Sequence, residues 1–229
     1  MEIGFEDIRR ELHSGNRVLV LVRHSERRKI DKEDPTFGES VPVTENGWRL
    51  SLDWGRALRG AAAAADVEFR ASPLRRTVMT AEGIAEGMGL EGAAVVPDDL
   101  IGNGSAFFAD RLEVWRQFRD RRFFEKMTAY MADGVAPGFA PIGPAAVAYE
   151  EYLLSRFTAR LGVFVTHDVF IAAYLHARGV KTDWNPDNWP RFLDAAVIVL
   201  EPGGARRVEF LRAGLSPLAV GVAPESSAP

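Results

Sequence analysis

The chain contains no cysteine. Disulfides, thiolate nucleophiles and thiolate metal sites are therefore excluded. It has no surplus of positive charge either: 28 Lys and Arg face 32 Asp and Glu, for a net charge of −4. No overall basic field points to nucleic acid or to an anionic membrane, so any attraction for an anion must be local. No apolar run approaches the ~20 residues of a membrane span. The first residues, M-E-I-G-F-E-D-I-R-R-E-L, are charged throughout and lack the apolar core of a signal peptide. These features predict a cytoplasmic protein that partners neither nucleic acid nor membrane. No GxGxxG or Walker fingerprint occurs, nor any internal repeat.

What is present is ordinary soluble composition with a few informative stretches. At 229 residues the chain is long enough for one large domain or a domain with a sizeable insertion. The segment V-L-V-L-V-R-H-S-E-R-R, residues 18–28, is the most telling. Five apolar residues, most of them β-branched, read as a strand buried on both faces, as in a parallel sheet. The run ends abruptly in Arg23 and His24, and Arg27 and Arg28 follow. In open α/β sheets the C-terminal strand edge is where ligands bind. Guanidinium groups around an imidazole favour phosphate, whose oxygens match the planar fork. The plainer reading, the first polar residues of a loop, weighs about equally on this segment alone.

Phe5, Ile8 and Leu12 share a helical face, which predicts a short N-terminal helix. Residues 31–43 are polar with Pro35, Gly38 and Pro42, a loop, and Thr44 is a helix N-cap. Residues 66–71 form a second strand running into S-P-L-R-R-T-V-M-T-A. Ser72 suits the N-cap and Pro73 the first helical position. Arg75 and Arg76 then sit in a first turn, where the helix dipole disfavours cations. A bound anion would satisfy both the free N–H groups and an arginine there. Arg75 is read as solvated and Arg76 as part of a site.

Residues 93–96 are a third strand closed by Pro97. Between about 98 and 155 the composition turns aromatic, charged and helical, which predicts a helical lid or insertion. Residues 162–166, G-V-F-V-T, form another buried strand that ends in His167 and Asp168. Asp168 could serve simply as the N-cap of the helix that follows, and Gly179 stops that helix. Residues 195–200 are a strand that P-G-G-A turns into an antiparallel edge strand at 207–211, and residues 223–229 read as a disordered tail. The expected fold is α/β: a three-layer sandwich with a mostly parallel central sheet flanked by helices. One domain spans 1–222.

Three strands thus end in Arg23-His24, in Ser72 with Arg76 just beyond, and in His167-Asp168. If the sheet is parallel, those ends meet and bring together a nucleophile, a charge clamp and an acid. In these three elements the chain resembles the histidine phosphatase superfamily, with its phosphoglycerate-mutase-like fold. The family's R-H-G reads R-H-S here, with Ser25 replacing glycine. Its S-x-L-x-R-[AT]-x-x-T-A matches at Ser72, Leu74, Arg76, Thr77, Thr80 and Ala81, and its strand-end histidine at His167. V-T-E-N-G-W resembles the family's L-T-x-x-G helix start. Arg27 and the His167-Asp168 pair are similar to the acid-phosphatase branch. The mutase branch takes its acid from a glutamate after the third strand, where this chain has D-D-L-I-G-N-G-S; Asp98 and Asp99 are weak substitutes.

The resemblance implies a phosphatase acting on a small phosphorylated substrate or phosphoprotein. His24 would be the nucleophile, Asp168 the proton donor, and Arg23, Arg27, Arg76 and His167 the phosphate clamp. It implies no metal and no cofactor. A phosphomutase and a non-catalytic phosphate-binding module of the same fold are the alternatives. Oligomeric state is not legible.

Overall fold

The computed structural model describes residues 2–31, 34, 36, 38–118 and 122–214. Pro35, residues 215–222 of the expected domain and the expected tail at 223–229 lie outside the described residues. The chain begins with β1 (Glu2–Ile3) and α1 (Phe5–His13), whose Ile8 and Leu12 are buried as their spacing predicts. β2 (Arg17–Arg23) follows, then α2 (Glu45–Ala57), β3 (Val67–Ala71), α3 (Arg75–Met88) and β4 (Val95–Pro97). Three helices, α4 (Arg111–Phe118), α5 (Phe123–Asp133) and α6 (Ile142–Arg156), lie between β4 and β5 (Leu161–Thr166). The chain closes with α7 (Asp168–Ala177), β6 (Ala195–Leu200) and β7 (Arg206–Leu211).

The strands form one seven-stranded sheet in the order β1-β7-β6-β2-β5-β3-β4. β2, β5, β3 and β4 run parallel, while β6 pairs antiparallel with both β2 and β7. The architecture is therefore the α/β, mostly parallel one that the sequence predicts. Strand alternation splits the core in two. Val18, Val20 and Val22 of β2 face the side of α1, α2 and α3; Leu19 and Leu21 face α6 and α7. All five are fully buried, each worth about 1.5–3 kcal/mol relative to exposure. A charge at any of them would have no partner on either face.

Several expectations shift in detail. The 207–211 strand is not an edge: the two-residue β1 pairs parallel outside it, Glu2 opposite Phe210. The third strand begins two residues later than expected and includes Pro97, tolerable because β4 is the edge and pairs only with β3. Thr44 caps α2 as predicted, its Oγ1 accepting from Gly47 N at 2.9 Å. Ser72 does not cap α3, which begins at Arg75 with Leu74 as N-cap. Asp168 is not an N-cap either; His167 holds that place and Asp168 is the first helical residue.

Candidate active site

Register brings the three strand ends to one level. Val22 lies opposite Val165, and Val165 opposite Ala71. His24 and His167, each two residues beyond that level, and Ser72, one residue beyond it, therefore emerge together at the same edge of the sheet. The backbone ties them at that edge, His24 N donating to Thr166 O at 2.9 Å and Ser72 N to Val165 O at 3.0 Å.

His24 is 2 % exposed. Its Nδ1 lies 2.8 Å from the carbonyl oxygen of Ser25. A carbonyl only accepts, so Nδ1 carries the proton and the neutral ring keeps its lone pair on Nε2. Burial, then Arg76, His167, Arg23 and Arg27, hold the His24 pKa well below 6.5. His167 is held below 6.5 for the same reasons, burial first and then Arg76, Arg23 and Arg27. Both rings are thus neutral at pH 7. Their centroids are 5.4 Å apart, edge to face. Ser72 gives up a capping role for this site: its Oγ lies 3.1 Å from His167 Nε2.

Three guanidinium groups surround the rings. Arg23 donates to Pro190 O at 2.6 Å, pairs with Asp168 Oδ2 at 3.1 Å and stacks 4.5 Å from the centre of the Phe192 ring. Arg27 donates to Arg28 O. Arg76 donates to Gly38 O at 2.7 Å and is 6 % exposed. Burial, and after it Arg27, lowers its pKa to about 10, against an opposing pull from Asp168, so it stays charged at pH 7. The Nε of each of the three is buried without a hydrogen-bond partner among the described residues. Each such donor costs about 1–3 kcal/mol. An oxyanion at this place would meet that need. Arg75 is exposed, as the sequence predicts.

Asp168 contributes a carboxylate paired with this group. Its Oδ2 also accepts from Trp189 Nε1 at 3.1 Å, and its Oδ1 from Val169 N at 3.1 Å. The weaker acid candidates are engaged elsewhere. Asp98 accepts from the Tyr152 hydroxyl at 2.9 Å and lies 3.7 Å from Arg70, and Asp99 pairs with Arg111 at 3.5 Å.

Ser25, the departure from the glycine motif, points away from the cleft. It is fully buried, its Oγ donating to Gly47 O at 2.7 Å while its N–H meets Thr80 Oγ1. Gly47 itself is required by contact: a Cβ there would sit 2.2 Å from the Glu26 carbonyl oxygen. Glu26 accepts from Thr44 Oγ1 and Asn46 Nδ2, stitching the loop after β2 to the start of α2.

His24, Arg27, Arg76, His167 and Asp168 all line one cleft of about 330 Å³. Arg23 stands behind that lining, paired with Asp168. The same cleft is lined by Asn103, by Asp31 and by Phe108, Trp115, Phe118 and Phe123. Sequence reasoning missed these, as it missed Phe192, whose ring packs 5.7 Å from His24. The residue after it, Leu193, has a φ of 66°. A positive φ at a non-glycine residue was the one local signal, and it is visible only in the backbone.

Residues 19–100 match the family model of the histidine phosphatase superfamily (branch 1). That match contains His24 and Arg76 and ends before His167 and Asp168, so the acid-phosphatase likeness of that pair lies outside it. None of the curated proteins matches the chain. Among solved structures, a phosphoserine phosphatase mutant from Entamoeba histolytica in complex with phosphoserine is similar with TM-score 0.55 and 15 % identity, over 84 % of this chain and 95 % of that one. A phosphoglycerate mutase from Bacillus anthracis gives 0.53 and 11 %, over 85 % and 92 %. The mycobacterial glucosyl-3-phosphoglycerate phosphatase gives 0.52 and 19 %, over 86 % and 99 %. At these identities the structures speak for the fold. The resemblance read from the motifs holds at the level of the superfamily.

Proposed function

We propose, since the chain shares the motif segment and the fold of the histidine phosphatase superfamily, that it hydrolyses a phosphomonoester through a phosphohistidine on His24, without a metal. The observation that carries this reading is the tautomer of His24. Its Nδ1–H is committed to Ser25 O, which leaves the Nε2 lone pair inside a ring of cations.

Nε2 attacks phosphorus, and the bond from phosphorus to the ester oxygen breaks on the opposite side. Charge spreads over the three equatorial oxygens as it does so. Arg23, Arg27, Arg76 and His167 stabilise that charge, each with donors already fixed by the fold. These guanidinium groups supply the positive charge for which other phosphoryl-transfer sites use a metal ion. Asp168 takes a proton from the bound ester's monoanion and passes it to the departing alcohol oxygen. Its Oδ1 accepts one hydrogen bond from its own helix, and a carboxylate oxygen has two lone pairs, so one remains for the proton. In the second half, water attacks phosphorus and Asp168 takes its proton. The phosphorus–nitrogen bond then breaks, and its electron pair returns to Nε2.

Phosphatases are named among the neighbours and so is a mutase. The two reactions share the first half and differ in whether water or a second alcohol receives the phosphoryl group. Rapid quenching with labelled phenyl phosphate should trap acid-labile, base-stable label on His24. Label on His167, or none on any time scale of turnover, would overturn the assignment. Transfer of label to added alcohol rather than to water would make the enzyme a mutase.

A further inference from the structure

The cleft has two unlike ends. At one end the imidazoles and guanidinium groups converge. The other end is a wall of rings supplied mainly by α4 and α5. An unbroken path of ring contacts joins the two. His167 lies 6.1 Å from Phe170, Phe170 lies 5.1 Å from Phe108, and Phe108 lies 6.3 Å from Trp115. Trp115 lies 6.2 Å from Phe118, and Phe118 lies 4.8 Å from Phe123.

A cluster of aromatics between helices is usually core, and part of this one is. Phe107, Tyr130 and Tyr149 are fully buried and fill the space beneath. The wall differs: Phe108, Trp115, Phe118 and Phe123 are each only half-buried, and all four line the cleft. Their remaining surface faces the space beside the phosphoryl position. Among the described lining residues, both guanidinium groups, Arg27 and Arg76, belong to the clamp, and the charged residues outside it are Asp31 and Asp168. Against the described lining residues, a second anionic group on the substrate would meet carboxylates and ring faces. Sugar hydroxyls would face rings with Asn103 and Asp31 as the described polar neighbours, and unpaired buried hydroxyls are costly.

We propose that the alcohol carried by the phosphoryl group is uncharged and apolar, a hydrocarbon or ring-bearing group, and that the wall on α4 and α5 selects it. This rests on the phosphatase reading of the same site. The volume fits: about 330 Å³ is at the small end of ligand pockets, enough for a phosphoryl group and a modest apolar tail.

The test uses straight-chain alkyl phosphates from methyl to hexyl, whose alcohols have nearly the same leaving ability, so chain length is the variable. The value of kcat/KM should rise about fourfold for each methylene until the wall is covered, the factor expected for burying one CH₂. Phosphoserine and glucose 6-phosphate should fall at or below methyl phosphate. Trp115→Ala and, separately, Phe123→Ala should flatten the length dependence, read as the ratio of hexyl to methyl phosphate kcat/KM within each variant, with circular dichroism verifying the fold. A flat or falling series in the native enzyme, or phosphoserine or glucose 6-phosphate above hexyl phosphate, would sink the proposal and leave the phosphatase reading intact. Calorimetry with the uncleavable alkylphosphonates separates the two failures. Hexylphosphonate binding far more tightly than methylphosphonate, with no ester cleaved, would overturn the enzymatic reading alone. Equal phosphonate affinities would overturn the apolar substrate class.

Discussion

The two ends of the cleft are built in different ways. The charged end stands on β2, β5 and β3, whose register fixes His24, His167 and Ser72 through backbone hydrogen bonds. Its arginines are tied to main-chain carbonyls at Pro190, Arg28 and Gly38. The aromatic end stands on α4 and α5, where rings lean on one another and on Phe139 and Trp189. Directional bonds hold the first and non-directional contacts hold the second. On the proposed function, the first end would do chemistry common to any phosphomonoester and the second would discriminate among alcohols. Variants at the charged end should then slow every substrate, and variants at the aromatic end should change the ranking of substrates.

The largest effect should come from the nucleophile. His24→Ala should lower kcat by about 10⁴-fold or more on every ester, the scale seen when a catalytic nucleophile is removed. Substantial residual activity, measured on nitrophenyl phosphate, would mean that another group attacks phosphorus.

Arg76→Ala comes next, with a loss in kcat/KM of about 10²–10³-fold, the cost of one oxyanion donor. The residue also donates to Gly38 O at 2.7 Å, so part of its effect will be on the loop before α2. Inorganic phosphate distinguishes the two roles. It should raise the Tm of the native protein, by the equivalent of about 2.7 kcal/mol at 100 times its Kd, and should do far less for the variant. Equal protection of both proteins would make Arg76 structural.

Asp168→Asn sharpens the comparison within the charged end. Proton donation matters in proportion to the basicity of the leaving group. Alkyl phosphate turnover should fall by about 10²–10⁴-fold and nitrophenyl phosphate turnover far less. Asparagine has one acceptor oxygen, so it can keep the bond from Trp189 Nε1 or the bond from Val169 N but not both, while asparagine remains a well-tolerated residue at a helix start. Equal losses on both esters would point to the ion pair with Arg23, at 3.1 Å, as the function that was lost.

The smallest effect is on stability. His24 and His167 both have folded pKa values held below 6.5, chiefly by burial. In the unfolded chain they take up protons below about that value, so acid favours unfolding. Their contribution is complete above pH 6.5 and is lost as the pH falls toward the folded values, by up to about 1.4 kcal/mol per pH unit for each ring. Tm measured from pH 7.5 to 4.5 should fall more steeply for the native protein than for a His24→Gln, His167→Gln variant. Parallel curves would mean that the rings are not held neutral.

The charged end was legible in sequence because local rules break there. Arginine and histidine interrupt a run of buried β-branched residues, and Arg76 sits in a helix first turn against the dipole. The aromatic end broke no such rule: Trp115, Phe118 and Phe123 belong to the stretch that reads only as an aromatic, charged helical lid or insertion. The partner of Ser72 was misread for a related reason. A serine before a proline is a good cap by local preference, and only the adjacency of β3 and β5 offers it His167 Nε2.

By itself, then, the sequence determined the alternation of buried strands and helices, the cap at Thr44 and the identity of the groups at three strand ends. Each is governed by neighbours within a few residues, through periodicity, side-chain-to-backbone bonding and burial preference. Tertiary structure alone decided the rest. It set the order β2-β5-β3 that brings those ends together, the strand β1 outside β7, the Ser25 hydroxyl turned to Gly47, and the ring of Phe192 against His24. These depend on contacts between residues up to 208 positions apart along the chain (Glu2 and Phe210, counted as 210 − 2), a separation at which no local pattern specifies which side chain arrives.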